Sequence, residues 1–374
     1  MPSRLALPLV LCCASLALAE LLVTDRYRDS VHRFSSVDGS LVQLDFIVGA
    51  GPGQALDSPM EALVVGDRIW LSDQNLDSVF RYTLTGQYVD RFVGPAHQID
   101  NIRGFDIVQG VLYLTNFGTA NGAPGPAIRR FDVATGANLG TLTMPGSRSP
   151  WDVLAYGARL LVSDDTNIST NPLLDTAVIW DIAQNPVGVF ASGSAGTNGL
   201  SLPKQMIALS NGRLLVANNG TPRALLELNA AGQIVASYPL GTLRPNGLYE
   251  LENGRIFIAG EDTGVLGTNG VYTLDRATGT LTPILLGNQV PGGLLPHYVN
   301  YYAPPPAVCP GDLNCDGAVD FDDLDRLVEA FNYPGGVGWP HPNCPWLSGD
   351  CNADGQVTFD DIDPFVARIG SSCP

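Results

Sequence analysis

Six short aliphatic runs recur along most of the chain, each ending in a small residue that is usually followed by Asp or Asn. They are LLVTD at 21–25, IWLSD at 69–73, LYLTN at 112–116, LLVSD at 160–164, LLVAN at 214–218 and IFIAG at 256–260, spaced 42 to 54 residues apart. Upstream of five of them lies another apolar strand and a Gly turn: ALVVGDR, FDIVQGV, VLAYGAR, IALSNGR and LYELENGR. Downstream come a variable loop and a third strand such as SVFRYTL or AIRRFDV, and in four units a TGQ, TGA, AGQ or TGT turn leads to a fourth. A unit of four short strands cannot bury its own apolar faces and must stack on copies of itself. At this period the pattern predicts the blades of a β-propeller.

The first unit lacks its opening strand. A seventh partial copy, LLPHYVNYY, stands at 294–302, and its Pro296 matches Pro59, Pro150, Pro203 and Pro245 at the heads of other opening strands. This segment is expected to complete the first blade, closing a ring of six and removing its open edges. The fold expectation is therefore mainly β: a six-bladed β-propeller over 20–303, followed by a small α-helical calcium-binding domain.

In its repeat pattern the body resembles six-bladed propellers of the NHL-repeat and gluconolactonase/regucalcin-like type. In that family the blade-start residues point into the top of the central channel, and some members hold a divalent metal there with Glu, Asn and Asp. The resemblance puts Glu61, Arg103, Asp152, Gln205, Asn246 and His297 at those positions. It makes Glu61, Asp152 and Asn246 the candidate catalytic set of a channel-metal lactonase, and the mouth a place for a polysaccharide or other ligand. Two departures count against the enzyme. The Glu-Gly-Pro order of such lactonases is reversed into Pro59-Met60-Glu61, and Arg103 brings a cation to the same mouth. The competing expectation is that these residues solvate the channel and hold neighbouring loops. Asp164-Asp165 and Glu261-Asp262, at blade edges, are expected to bond turn amides. The four histidines are scattered, and no GxSxG, HExxH or phosphate-binding Gly loop is present.

The tail is of another kind. GDLNCDGAVDFDD, Gly311 to Asp323, returns 38 positions later as GDCNADGQVTFDD, Gly349 to Asp361. From Cys309 to Pro374 twelve acidic residues face only Arg326 and Arg368, a net of −10 within the chain's −17. Nucleic acid is thereby disfavoured as a partner. The spacing suits calcium, which takes hard oxygen ligands at alternate loop positions. Asp312, Asn314, Asp316, the Ala318 carbonyl, Asp320 and Asp323 form one set, with Gly317 at the sharp turn. Asp350, Asn352, Asp354, the Gln356 carbonyl, Thr358 and Asp361 form the other, so two Ca2+ ions are expected. Val319 and Val357 are expected to pair across the loops.

Each loop runs into a helix, with Leu324, Leu327, Val328 and Phe331 on one face of the first and Ile362, Phe365, Val366 and Ile369 on one face of the second. Pro364 is expected to bend the second. No helix can enter the first loop, because the segment before it is the proline-rich linker over 304–311. Paired loop-helix units without entering helices resemble a type I dockerin, over about 309–370. That resemblance implies a non-catalytic module that binds a cohesin-like domain or surface scaffold, often in polysaccharide degradation. Its two-residue recognition code falls on Phe321-Asp322 and Phe359-Asp360, unlike the Ser-Thr type of clostridial modules. The plainer alternative is a calcium-stabilised end cap.

Five of the seven cysteines, Cys309, Cys315, Cys344, Cys351 and Cys373, lie in this tail, and the other two, Cys12 and Cys13, lie within the first 19 residues. Local pairs 309–315 and 344–351 would respect the duplication and leave Cys373 free, although spacing alone does not fix connectivity. A zinc cluster competes with disulfides but lacks any CxxC spacing. Arg4, the apolar run Leu5 to Leu18 and Ala17-Leu18-Ala19 read as a signal peptide over 1–19. The run is shorter than the ~20 residues of a spanning helix. Secretion without a transmembrane anchor is therefore expected.

Overall fold

The computed structural model describes residues 19–164, 177–193, 199–262, 269–304, 309–341 and 344–373. The signal-peptide expectation and half of the linker, 305–308, fall outside them. Two compact units are distinguished, Ala19–Tyr302 and a C-terminal unit beginning at Ala303.

The first unit is six antiparallel sheets of four strands each. Its innermost strands are Pro296–Tyr302, Pro59–Val65, Ile102–Val108, Pro150–Tyr156, Pro203–Ala208 and Leu243–Glu250. Pro296–Tyr302 pairs antiparallel with Glu20–Asp25, so a strand from the end of the unit completes the blade that the start of the unit opens. Apolar side chains from adjacent blades interdigitate: Leu22, Val31, Ile69 and Phe80 share one cluster, and Leu161, Ile179, Leu214 and Leu226 another. This is the alternation expected of strands buried on both faces.

The recurrent small residue and the Asp or Asn after it have distinct tasks. Thr24, Ser72 and Ser163 donate their hydroxyls to the carbonyls of Met60, Arg103 and Lys204 on the next blade, at 2.6, 2.6 and 2.9 Å. Asp25, Asp73, Asn116, Asp164 and Asn218 accept amide protons from Leu295, Asp57, Asp100, Ser149 and Ser201, tying down the loop into the opening strand. Asp164 therefore bonds turn amides, and its partner Asp165 lies outside the described residues.

Burial pushes the Asp73 carboxyl up to about 7. Because its folded value exceeds the ordinary one near 4, the folded state holds a proton that the unfolded chain has released, and stability falls as pH rises from about 4 to 7. Asn116 and Asn218 fill the equivalent position as neutral amides, each donating to two loop carbonyls. Asp73→Asn is therefore expected to stabilise the propeller by roughly 2 kcal/mol at pH 8 and by little at pH 4. Urea unfolding at the two pH values measures it, and an equal effect at both would refute the assignment.

The C-terminal unit contains two short α-helices, α1 (Leu324–Ala330) and α2 (Ile362–Arg368), around a core of Leu313, Val319, Leu327, Ala330, Trp346, Cys351, Val357 and Phe365. Three expectations are corrected here. The buried helix faces consist of Leu327, Ala330 and Phe365, while Leu324, Val328, Ile362 and Val366 are exposed. The helices turn inward on a narrower stripe than the apolar spacing suggests. Pro364 does not interrupt α2, since it stands in the first turn, where an amide has no helical partner. Val319 pairs with the chain end and not with Val357: its amide donates to Ser371 and its carbonyl accepts from Gly370.

That pairing also overturns the local disulfides. Ala318 bridges to Ser372, which carries Cys373 to Cys309, and the bonds are Cys309–Cys373 and Cys315–Cys344. Cys351 is the free, buried thiol. Its duplicate position is Leu313, so it serves as a small apolar core residue.

Candidate functional site

The blade-start residues occupy two levels of the channel and not one. Strand pairing places Glu61 opposite Ser72, Asp152 opposite Ser163 and Gly247 opposite Ala259, with a bulge at the residue before each. Counted from the heading proline or its Ile102 equivalent, one ring is Met60, Arg103, Trp151, Lys204, Asn246 and His297. The next, one residue further into each strand, is Glu61, Gly104, Asp152, Gln205, Gly247 and Tyr298. Asn246 is thus placed one level away from Glu61 and Asp152. Counting from the prolines would have separated the rings in the sequence, and would have found Trp151 and Lys204.

The deeper ring is a fastening. Glu61 accepts from the Phe105 amide of the next blade at 2.6 Å and from Asn300 Nδ2 at 3.1 Å. Asp152 accepts from the Met206 amide at 2.8 Å, and Gln205 Oε1 accepts from the amides of Leu248 and Val299. Tyr298 fills the space left by Gly104 and donates its hydroxyl to the Trp151 carbonyl at 2.5 Å. Burial, then the charge of Asp152, raises the Glu61 carboxyl well above its usual range. Burial does the same to Asp152, with Asp106 adding to it. Both carboxyls are thus committed to backbone amides of the neighbouring blade.

The outer ring has the opposite charge. Arg103 and Lys204 both lie over the Trp151 indole, at 4.3 and 3.1 Å from the ring centroid, and the His297 ring stacks on Trp151 at 6.0 Å. All four residues are buried. Burial, and then Arg26, Lys204 and Arg103, holds the His297 imidazole well below its ordinary value, so it is neutral.

In the C-terminal unit the two acidic loops repeat each other bond for bond. Asp323 accepts from the amides of Leu313, Asn314 and Asp320, as Asp361 does from Cys351, Asn352 and Thr358. Asp312 accepts from Asp316 and Gly317, as Asp350 does from Asp354 and Gly355. Asp316 and Asp354 accept from Ala318 and Gln356, the residues whose carbonyls were expected to be ligands. Asp320 and Thr358 cap the helices, accepting from Asp322 and Asp360. Gly317 and Gly355, at φ +92° and +87°, make the turn that only glycine makes without strain.

The donors are all oxygen, and burial raises Asp312 and Asp323, with Asp316 adding repulsion at Asp312 and Asp312 at Asp323. Such a donor set fits a hard divalent cation. Among the described residues, the only three His, Cys, Asp or Glu side chains with ligand atoms within 4.8 Å of one another are Cys309, Asp312 and Cys373, of which the two sulfurs are already bonded together. The loop carboxylates accept from the loops' own backbone amides.

Past the loops the duplication reaches the surface. Phe321 and Phe359 are 72% and 75% exposed, and Val328 and Val366 are 55% and 57% exposed. Leu324 and Ile362 complete each row at helical spacing. Phe359 also meets Phe331, with ring centroids 4.7 Å apart.

No protein-family model and no curated protein matches the chain. Solved structures do resemble it. A chain of a nidogen/laminin complex superposes with a TM-score of 0.56 at 13% identity, covering 76% of this chain and 98% of that one. A protein of unknown function from Bacteroides caccae gives 0.52 at 16% identity, covering 76% and 99%. A streptogramin B lyase gives 0.45 at 12% identity, covering 70% and 72%. At such identities the first two likenesses establish the propeller fold alone. No helix among the described residues is long and apolar enough to cross a membrane.

Proposed function

We propose that this chain is an exported binding propeller carried on a calcium-dependent attachment module, which plugs into a cohesin-like domain or surface scaffold. The observation that carries the reading is the duplicated apolar row, Phe321/Leu324/Val328 and Phe359/Ile362/Val366, each beginning at the end of an acidic loop. Large apolar side chains exposed on a small unit mark an interaction surface. Their repetition offers a partner the same contact in two orientations. Two disulfides fit an oxidising compartment and export. Bound calcium would neutralise the loop carboxylates and fix the first helical turn that presents each phenylalanine.

Calorimetric titration of the full chain tests the metal. Two Ca2+ ions are expected, one remaining after Asp312→Ala or Asp350→Ala and none after both. Capture by immobilised cohesin domains in calcium tests the docking. Phe321→Asp and Phe359→Asp are each expected to leave one face working, whereas the double variant should lose at least ~100-fold in affinity, as for two buried aromatic anchors. Binding unaffected by the double change, or no cohesin bound at all, would leave the tail as an end cap.

A further inference from the structure

Three consecutive blades carry an arginine at the same place, and the third holds it differently. Arg33, Arg81 and Arg130 are each the fourth residue of the third strand of their blade, in Ser30–Ser35, Ser78–Thr83 and Ala127–Asp132, and each is half-buried between two buried neighbours. In the first blade Arg33 is bonded to both oxygens of Glu20 and lies over the rings of Phe46 and Tyr302, 4.9 and 5.4 Å from their centroids. In the second, Arg81 donates to both oxygens of Asp90, at 2.7 and 2.5 Å, and lies over Trp70 and Phe92, at 5.4 and 5.2 Å. Both repeats therefore satisfy this guanidinium in one way: a carboxylate takes its fork and two aromatic rings take its face.

The third blade keeps the arginine and drops both kinds of partner. Gly140 stands opposite Arg130 where Asp90 stands opposite Arg81, and Tyr113 stands where Trp70 does. Among the described residues no carboxylate pairs with Arg130 and no ring covers it; its one hydrogen bond runs to the Leu139 carbonyl at 2.8 Å, and its Nε is buried without a partner. Buried polar atoms are normally satisfied, and a guanidinium N–H can only donate, so it calls for an acceptor. The space beside it is open. Arg130 lines a cavity of about 590 Å³ between the third and fourth blades, with Tyr113, Leu142, Leu160, Ile182 and Val187. The other charged residue of that wall, Arg159, donates to Asp181 at 2.8 Å. Asp106, beyond Tyr113 in the same cross-strand row, accepts from the Ala155 amide at 2.7 Å. An apolar cavity of this size with a few polar groups in its wall has the make-up of a small-molecule site.

We propose that this cavity binds a small aromatic carboxylic acid, whose carboxylate and ring take at Arg130 the roles that Asp90 and the rings of Trp70 and Phe92 take at Arg81. A guanidinium fork matches a carboxylate in two parallel bonds, and the Nε–H of Arg130 is one donor that awaits such a partner. Gly140 keeps the approach clear: a Cβ there would lie 3.5 Å from Arg130 Nη2, so an aspartate at 140 would set its own carboxylate where the ligand's is expected. Leu142, Ile182 and Val187 give the ring an apolar wall, and Tyr113 adds an aromatic side chain directly across the strand pair from Arg130.

The inference concerns the propeller unit alone and needs neither the calcium loops nor a docking partner. The test is calorimetry of the full chain with trans-cinnamate, cinnamyl alcohol and hexanoate, followed in parallel by the Arg130 Nε–H resonance of the nitrogen-labelled protein, which is assigned by its loss in Arg130→Gln. Cinnamate is expected to bind and to shift that resonance. The alcohol, which lacks the charge, and hexanoate, which lacks the ring, are each expected to bind at least tenfold more weakly. Arg130→Gln should weaken cinnamate binding by the same factor with the fold retained. Gly140→Asp, which puts a carboxylate back beside the arginine, should abolish it; a melting curve checks that this variant folds, because φ at 140 is +92°. Absence of both heat and shift at ~10 mM cinnamate, well above a Kd of ~1 mM, overturns the proposal, as does equal binding of the alcohol or equal binding by Arg130→Gln. Equal binding of hexanoate overturns its aromatic half. If the variants do not fold, the wild-type Nε–H shift with cinnamate, set against the alcohol, still decides. Asp312→Ala with Asp350→Ala must bind cinnamate as wild type does, so failure of the tail's assignment and failure of this one are separable.

Discussion

Replacing Cys309 and Cys373 together by serine is expected to unfold the C-terminal unit while leaving the propeller intact. The bond joins residues 64 positions apart and so encloses nearly the whole unit. Closing a loop of that length removes about 4 kcal/mol of unfolded-state entropy. A core of this size rarely supplies more than ~3–5 kcal/mol by itself. Losing the crosslink therefore takes away a share comparable to the unit's entire stability. Hydrogen exchange measured peptide by peptide shows it directly: protection over 309–373 should fall by about a thousandfold, and protection over the propeller strands should not change. Calcium, if it binds the folded loops, should restore part of the lost protection by mass action. Unchanged protection without calcium would mean that the apolar core and loop hydrogen bonds suffice.

The same connectivity makes the two halves of the tail unequal. Both disulfides converge on the first loop, since Cys309 precedes it, Cys315 lies within it, and their partners come from the interhelical segment and the chain end. The second loop has no crosslink. Its Cys351 stands where the first half has Leu313, and Ala353 stands where the first half has Cys315. A sequence repeated in its ligand positions has diverged at the positions that fix the loops in place. The first loop is thus held by covalent bonds, and the second by its hydrogen bonds and the core packing of Cys351 and Val357.

Much of the architecture was legible because it depends on periodicity. The six aliphatic runs fall on observed strands, from Glu20–Asp25 to Ile256–Asp262, and Pro296 marked the strand that closes the ring. The disulfides were not legible, because they depend on where the chain end lies, and the pairing of Val319 with 370–371 leaves no local signal. The helix faces were misread for a related reason: Leu324, Val328, Ile362 and Val366 have the apolar spacing of a core stripe, and apolar character alone does not distinguish a buried row from an exposed one. In the channel the residues were found and their levels were not. Each opening strand shifts register just past its heading proline or Ile102, and a single extra residue moves a side chain from one ring to the next. Thus Glu61, Asp152 and Asn246 looked like one ligand set although Asn246 belongs with Trp151 and Lys204.

That offset gives the second large prediction, for Gly247→Ala. Four of the six deeper-ring positions carry long side chains, Glu61, Asp152, Gln205 and Tyr298, and the other two are glycines. The glycines are what let the ring close. A Cβ on Gly247 would sit 1.9 Å from the His297 carbonyl oxygen and 3.0 Å from Tyr298 Cα, both backbone atoms of the closing strand. Gly247 does not adopt a positive φ, so alanine meets no conformational penalty there and the cost is purely steric. Backbone atoms cannot turn aside as a side chain can, and the strand they belong to is held by Glu20–Asp25 on one side and by Gln205 on the other. The expected loss is about 3 kcal/mol or more. Gly110→Ala is the control, with open space around its Cβ and a φ of +77°, and it should cost only ~1 kcal/mol of backbone strain. Thermal unfolding of the two variants separates these cases, and hydrogen exchange in 296–302 locates the damage. If Gly247→Ala melts no lower than Gly110→Ala, the closing strand moves freely enough to accommodate a methyl group, and the channel floor is not the rigid seat on which Trp151 and His297 depend.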